Sequence, residues 1–187
     1  LIIDKNYNQD FYNTGRKYIP IKKKLDENLI NKKILILITI SDIKTRSSIV
    51  RYLKKKFKKI KFPNFISSKA ILISNPIIGE GSIIFPYSFI NHNSIIGDFV
   101  IINNSCHIQH DNCVSDFVNI NPKVITGGNV NIESKVTIGI NSTLKNNISI
   151  GKNSFVGMGS IISQNIPKNT MVYFKSKKIK KLFKNTN

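Results

Sequence analysis
From Phe65 onward the chain reads in blocks of six without a slip: FISSKA, ILISNP, IIGEGS, IIFPYS, and so on through IISQNI at 161–166. The second position of the seventeen blocks is Ile, Leu or Val sixteen times, and Thr126 is the exception. The sixth position favours small or β-branched residues, among them Ala70, Ser82, Ser88, Ser94, Val100, Cys106, Val118 and Val124. A helix repeats its apolar face about every 3.6 residues and an ordinary strand about every 2, so neither explains a strict six. Six residues suit a short strand followed by a corner, and three such units close a triangular coil. Successive coils would stack as parallel strands about 4.8 Å apart. The second-position aliphatics would point inward, and the small sixth residue would fit the tight vertex.

The first 64 residues follow another pattern. LIIDKN at the start reads as a strand with Asp4 at its end. ILILITI (34–40) reads as a buried strand by its length and β-branching. Ser41 or Asp42 can cap a helix from about Lys44 to Lys56, with Ile49, Val50, Leu53 and Phe57 on one face. The expected organisation is mainly β, a parallel β-helix of hexapeptide repeats over 65–168. A partial, Rossmann-like α/β subdomain (1–64) precedes it, and a basic C-terminal tail (169–187) caps its end.

Composition changes this picture little. The 187 residues carry 29 Lys and Arg against 10 Asp and Glu, a formal charge of +19. That excess sits outside the repeat: residues 1–75 carry +13 and 167–187 carry +7, while 76–166 are at −1. A nucleic-acid groove places its cations on the folded core and favours arginine forks. Here lysines dominate and the core is near neutral, so no nucleic-acid partner is expected. Abundant Ile, Asn and Lys fit the codon bias of an A/T-rich genome. The seven apolar residues of ILILITI fall short of the roughly 20 that a membrane span needs, and two cysteines make no disulfide framework. A cytoplasmic protein without membrane insertion is expected.

The three histidines are His92, His107 and His110. Residues eighteen apart share a column of the prism, so His92, His110, Gly128, Asn146 and Gln164 stack on one edge, fourth in their blocks and facing outward. His107 is first in its block. Three histidines raise the possibility of zinc, which binds three N or S ligands and keeps a fourth position open in catalytic sites. Their spacing matches no such motif well, and no metal is expected. Cys106, at a sixth position, reads as core filling, and Cys113 as inert.

The stretch INNSCHIQHDNCVSDFVNINPKVITGGNVNI (101–132) resembles the sialic acid O-acetyltransferase and UDP-amino-sugar N-acetyltransferase family of the hexapeptide-repeat superfamily (NeuD/PglD type). ITISDIKTR (38–46), NFISSKAIL (64–72) and IPKNT (166–170) extend the likeness over nearly the whole chain. The resemblance implies a left-handed β-helix and a homotrimer with active sites between adjacent prisms. It also implies acetyl-CoA as co-substrate and a sugar or nucleotide-sugar acceptor in surface-glycan biosynthesis.

By the same resemblance His110 is the general base and Asp111 orients it. Imidazole, with an ordinary pKa near 6.5, is matched to removing a proton from an attacking amine or hydroxyl at neutral pH. Gly128 corresponds to the family's glycine at the acetyl group, where a backbone N–H can meet the tetrahedral oxyanion. Asn103 matches an Asn that faces the acceptor, and Asp4 an acid that contacts the nucleotide.

Four departures stand out. Asn119 replaces a second His of the family, and ISSKA replaces IHPSA. YFKSKK (173–178) replaces a terminal G-x-P-A loop, so that Lys175, Lys177 and Lys178 could meet coenzyme phosphates. The family's G-x-S-G-H-G phosphate loop is not found, and the sequence is expected to be a fragment that begins at the second strand. Two rivals remain: a zinc-dependent hydratase of the hexapeptide-repeat carbonic-anhydrase type, and a non-catalytic trimeric scaffold.

Overall fold
The computed structural model describes residues 2–4, 18–20 and 34–173. Strand β1 (Ile2–Asp4) pairs in parallel with β2 (Tyr18–Pro20). The segment ILILITI forms less strand than its composition predicts. Only Ile34–Leu35, β3, pairs, with β4 (Ile60–Lys61) alongside it in parallel. The Ile36 N–H still donates to Lys61 O at 3.1 Å, and both Ile36 and Ile38 are buried, so β-branched residues supply core beyond the paired strand. Helix α1 (Ile43–Lys56) starts where the sequence places it: the Asp42 carboxylate caps it by accepting from the Thr45 N–H at 2.8 Å.

From Phe65 the chain winds into a parallel β-solenoid of three sheets. Two-residue strands build a six-stranded face from Ile71–Leu72 to Ile161–Ile162, with His107–Ile108 in its middle. A five-stranded face runs from Ile77–Ile78 to Ser149–Ile150, and a seven-stranded face from Phe65–Ile66 to Met171–Val172. Each residue pairs with the one eighteen further on, as Ile83 with Ile101 and Ile101 with Asn119. The register closes up only in the last coil, where Phe155 faces Met171 and Ile150 bridges to Ile166. The three-faced coil of eighteen residues agrees with the left-handed β-helix expected from the repeat.

Second-position side chains fill the interior. Ile84, Ile90, Ile102, Ile108, Ile120, Ile132 and Ile138 are fully buried in one column-built core. Each contributes about 1.5–3 kcal/mol of burial before chain entropy is subtracted. The odd residue, Thr126, is buried too, and its Oγ1 accepts from the Gln109 N–H at 3.1 Å.

The sixth position has a different role from the one its size suggests. It does not occupy the vertex; it points inward as well. Ser82, Ser88, Ser94, Ser142 and Ser154 are buried, and their hydroxyls donate to carbonyls of the next coil at 2.7–2.9 Å. The tight turn falls on the fifth position, which adopts φ between +54° and +62° from Tyr87 through Asn153. Asn and Asp tolerate this left-handed conformation. Phe99 and Phe117 do not tolerate it readily, and each costs of the order of 1–2 kcal/mol there.

Helix α1 offsets that cost. Val50, Leu53 and Phe57 form a second core with Ile36, Ile38, Phe62 and Phe99, against which Phe117 packs. The Phe99 and Phe117 rings stack at 5.2 Å, and Lys54 lies over Phe62 and Phe99 while pairing with Glu80. The helix therefore covers one corner of the prism. Truncating one interior aliphatic, Ile132→Ala, should cost about 2–5 kcal/mol, read as a lowered midpoint in urea unfolding. A loss below 1 kcal/mol would show that the column is not close-packed.

Candidate active site
A different corner, where the six-stranded face turns into the five-stranded one, carries the outward histidines. His110 follows strand His107–Ile108, and Asp111 takes the left-handed turn at φ +59°. That geometry swings the carboxylate back toward the preceding ring. His110 Nδ1 lies 2.7 Å from Asp111 Oδ2, with both side chains about half exposed. An ionised carboxylate only accepts, so Nδ1 carries the proton and Nε2 keeps its lone pair.

Asp111 is held on its other side as well. Asn93, one coil earlier in the same column, donates from Nδ2 to Asp111 Oδ1 at 3.1 Å. The two hydrogen bonds, His110 first and Asn93 second, hold the Asp111 carboxyl below its usual range. Because the folded value is depressed, the His110–Asp111 contact is complete above the ordinary carboxylate range. It is lost as pH falls through the lowered value.

The His110 ring is sandwiched. The His92 ring stacks on one side, with centroids 5.4 Å apart and planes 9° from parallel. Gly128 lies on the other. A Cβ on Gly128 would sit 2.5 Å from His110 Cε1 and 2.7 Å from Nε2. The glycine is thus required by the imidazole itself, beyond any easing of a turn. Among the described residues the Gly128 N–H takes no hydrogen-bond partner, so this donor stays free in the glycine that packs on the His110 ring.

The remaining expected site residues lie elsewhere. Asn103 and Asn119 belong to the seven-stranded face. Asn103 donates from Nδ2 to Ile120 O at 3.3 Å. Asn119 is buried at 8% exposure, and its amide clasps the helix to the solenoid. Its Nδ2 donates to Ser41 O at 2.6 Å, and its Oδ1 accepts from Arg46 Nη2 at 2.7 Å. One edge of Asn119 still lines a cavity of about 340 Å³ with Ser41, Asp42, Asn121 and Thr137. Asp4 is the last residue of β1, and its side chain lies outside the described residues, as do Lys175, Lys177 and Lys178.

His107 also stays apart, tilted against the Phe89 ring at 6.0 Å. Among the described residues of the single chain the only metal-capable group is His92, His110 and Asp111, and His107 is not part of it. Cys106 is buried, and burial pushes its thiol up to about 11, far from a reactive thiolate.

Two positions went unremarked in the sequence. Asn93 was visible as the residue eighteen before Asp111. Arg46 was visible as a charge in the apolar stripe of α1. Its guanidinium, 1% exposed, donates from Nη1 to Ile40 O at 2.7 Å and Ser41 O at 3.0 Å, and from Nη2 to Phe117 O at 3.3 Å. Burial lowers its pKa to about 10, which leaves it charged at neutral pH.

No protein-family model matches the sequence, nor does any curated protein. Solved structures do match. WeeI from Acinetobacter baumannii AYE superposes with a TM-score of 0.78 at 25% identity, over 90% of this chain and 80% of that one. The acetyltransferase domain of PglB from Neisseria gonorrhoeae FA1090, also solved with acetyl coenzyme A, gives 0.74 at 23% identity, over 84% and 76%. Perosamine N-acetyltransferase from Caulobacter crescentus was solved as a histidine-to-asparagine mutant with CoA and GDP-perosamine. It gives 0.70 at 22% identity, over 73% of this chain and 64% of that one. The present chain thus spans under two thirds of the length of the Caulobacter protein. It has the β-solenoid fold of these sugar acetyltransferases.

Replacing Asn93 with Ala should raise the Asp111 carboxyl toward the ordinary carboxylate range, followed by carbon-detected NMR titration. An unchanged midpoint would remove Asn93 from the site.

Proposed function
We propose that the protein is an acyltransferase that moves an acetyl group from acetyl-CoA to an amino or hydroxyl group of a sugar or nucleotide-linked sugar. The observation that carries this reading is the His110–Asp111 pair. It has a protonated Nδ1 tied to a carboxylate and a free Nε2 held over a glycine backbone, on a fold shared with sugar N-acetyltransferases.

In this reading Nε2 of His110 takes the proton of the acceptor as its nitrogen or oxygen attacks the thioester carbonyl. The Gly128 N–H donates to the oxyanion that forms. Collapse of the adduct breaks the C–S bond, and the proton held on the imidazole is available to the departing thiolate. Asp111 stabilises the transient imidazolium and fixes the tautomer, the role a buried or half-buried carboxylate plays beside a basic histidine.

The single chain leaves Asn103 and Asn119 on a different face from His110. Exposed Ile71, Ile125 and Ile161 stripe the six-stranded face beside the His110 corner. Both features support a homotrimer in which one prism's face completes a neighbour's site. In such an assembly residues 1–64 serve the nucleotide end of the acceptor, 65–168 the transfer, and 169–187 the capping of the solenoid. Dependence on acetyl-CoA favours a cytoplasmic setting. No helix among the described residues is long and apolar enough to cross a membrane.

The test is acetyl transfer from acetyl-CoA to nucleotide-linked amino sugars. His110→Ala should lower the rate by about 10²–10⁴-fold with the unfolding midpoint unchanged, since the side chain is half exposed. Turnover that survives His110→Ala undiminished would end the assignment. Gly128→Ala should also depress kcat, because the new methyl must displace the imidazole ring. A Gly128→Ala enzyme as fast as the parent would place the thioester elsewhere.

A further inference from the structure
The solenoid places two imidazoles, not one, at the active corner. His92 and His110 both occupy the fourth position of their blocks, eighteen residues apart, and both are exposed. The reaction proposed above uses His110 and leaves His92 without a part.

The two rings are set up alike. His92 Nδ1 lies 2.9 Å from Asn91 Oδ1, as His110 Nδ1 lies 2.7 Å from Asp111 Oδ2. The Asn91 amide is oriented by its other bonds, since Oδ1 also accepts from the His92 N–H and Nδ2 donates to Gln109 Oε1. Each ring therefore keeps its proton on Nδ1 and presents an Nε2 lone pair. An oxygen acceptor on the distal N–H is also how metal-binding histidines are oriented. Potential ligand atoms of His92, His110 and Asp111 all lie within 4.8 Å of one another.

We propose that His92 and His110, with Asp111, form a capture site for a borderline transition-metal ion of the zinc class, and that its occupancy silences the base. Two imidazoles and a carboxylate suit zinc, which completes four-coordination with water. Zn–N bonds are about 2.0–2.1 Å and the two rings lie nearly parallel, so binding requires the exposed rings to turn about their χ angles until both Nε2 lone pairs converge on one ion. Asp111 either swings to the metal or stays on Nδ1 of His110. In both arrangements the Nε2 lone pair that would accept the acceptor's proton is engaged. The ion is a reversible inhibitor here, not a resident cofactor. The binding site stands independently of the acetyl-transfer reading; only its inhibitory consequence rests on that reading.

The test uses the full chain and zinc chloride in a non-coordinating buffer. Isothermal titration should show saturable binding of one ion per chain. The Cε1–H resonances of His92 and His110 should shift together, while that of His107 stays in place. His92→Gln should weaken binding more than about tenfold and relieve zinc inhibition, read as the ratio of the variant's zinc-loaded rate to its own metal-free rate. Absence of saturable binding overturns the proposal, as does binding that His92→Gln leaves intact or a shift confined to His107. Saturable binding by a protein that transfers no acetyl group in any metal state would keep the site and sink the enzymatic reading instead.

Discussion
Backbone hydrogen bonds that run from each strand to the coil above lock the chain at a pitch of eighteen residues, as from the Ile83 N–H to Val100 O and from the Ile101 N–H to Val118 O. Everything else inherits that spacing. Parallel pairing in exact register places like positions on top of one another, so the neighbours within each column are fixed before any side chain chooses a partner. The interior columns become aliphatic stacks and serine ladders. The corner columns differ: Asn93, Asp111, Asn129 and Asn147 make one, and Phe99, Phe117 and Lys135 another. A solenoid of this kind has no central cavity to shape, so chemistry is confined to its corners.

The same constraint explains why the His110 column was legible in the sequence. Once the frame is known, sequence numbers convert to columns, and His110 must face out, between His92 and Gly128. What the frame cannot give is the conformation of each corner. The tight turn was assigned to the sixth residue because that residue is small, whereas smallness there reflects a narrow interior. The fifth residue takes the left-handed turn, and this throws the Asp111 carboxylate back onto Nδ1 of its own neighbour. An adjacent His–Asp pair in an extended strand would point to opposite sides. The pair exists because the corner bends.

Legibility fell where contacts leave the repeat. The ILILITI segment has the composition of a strand, yet it pairs with β4 only through its first three residues, and beyond them only Ile38 is buried. Asn119 shows the same limit. Position in a motif suggests a ligand-facing amide, but its surroundings are set by Arg46, seventy-three residues away in sequence. A buried guanidinium must find acceptors or be expelled. It takes three carbonyls and the Asn119 oxygen, while Nε remains without a partner among the described residues. A neutral, well-satisfied amide is a suitable counterpart for such a cation. An imidazole there would have to present a lone pair toward Arg46 and stay unprotonated.

That substitution bears on how the two parts of the molecule cooperate. The helix corner and the histidine corner are neighbours, separated by the five-stranded face. Phe99 and Phe117 share the left-handed φ of every coil's fifth position but are the ones that pack against α1's core, and Arg46 ties the same helix to the face that carries Asn119. Any force that lifts the helix would relax those corners and free the Asn119 amide together, since they share one clasp. The histidine corner has no such tie: its ring and carboxylate are held by column neighbours and by each other. The solenoid thus separates a His–Asp pair held within one corner column from a face whose polar groups depend on the helix packed against it.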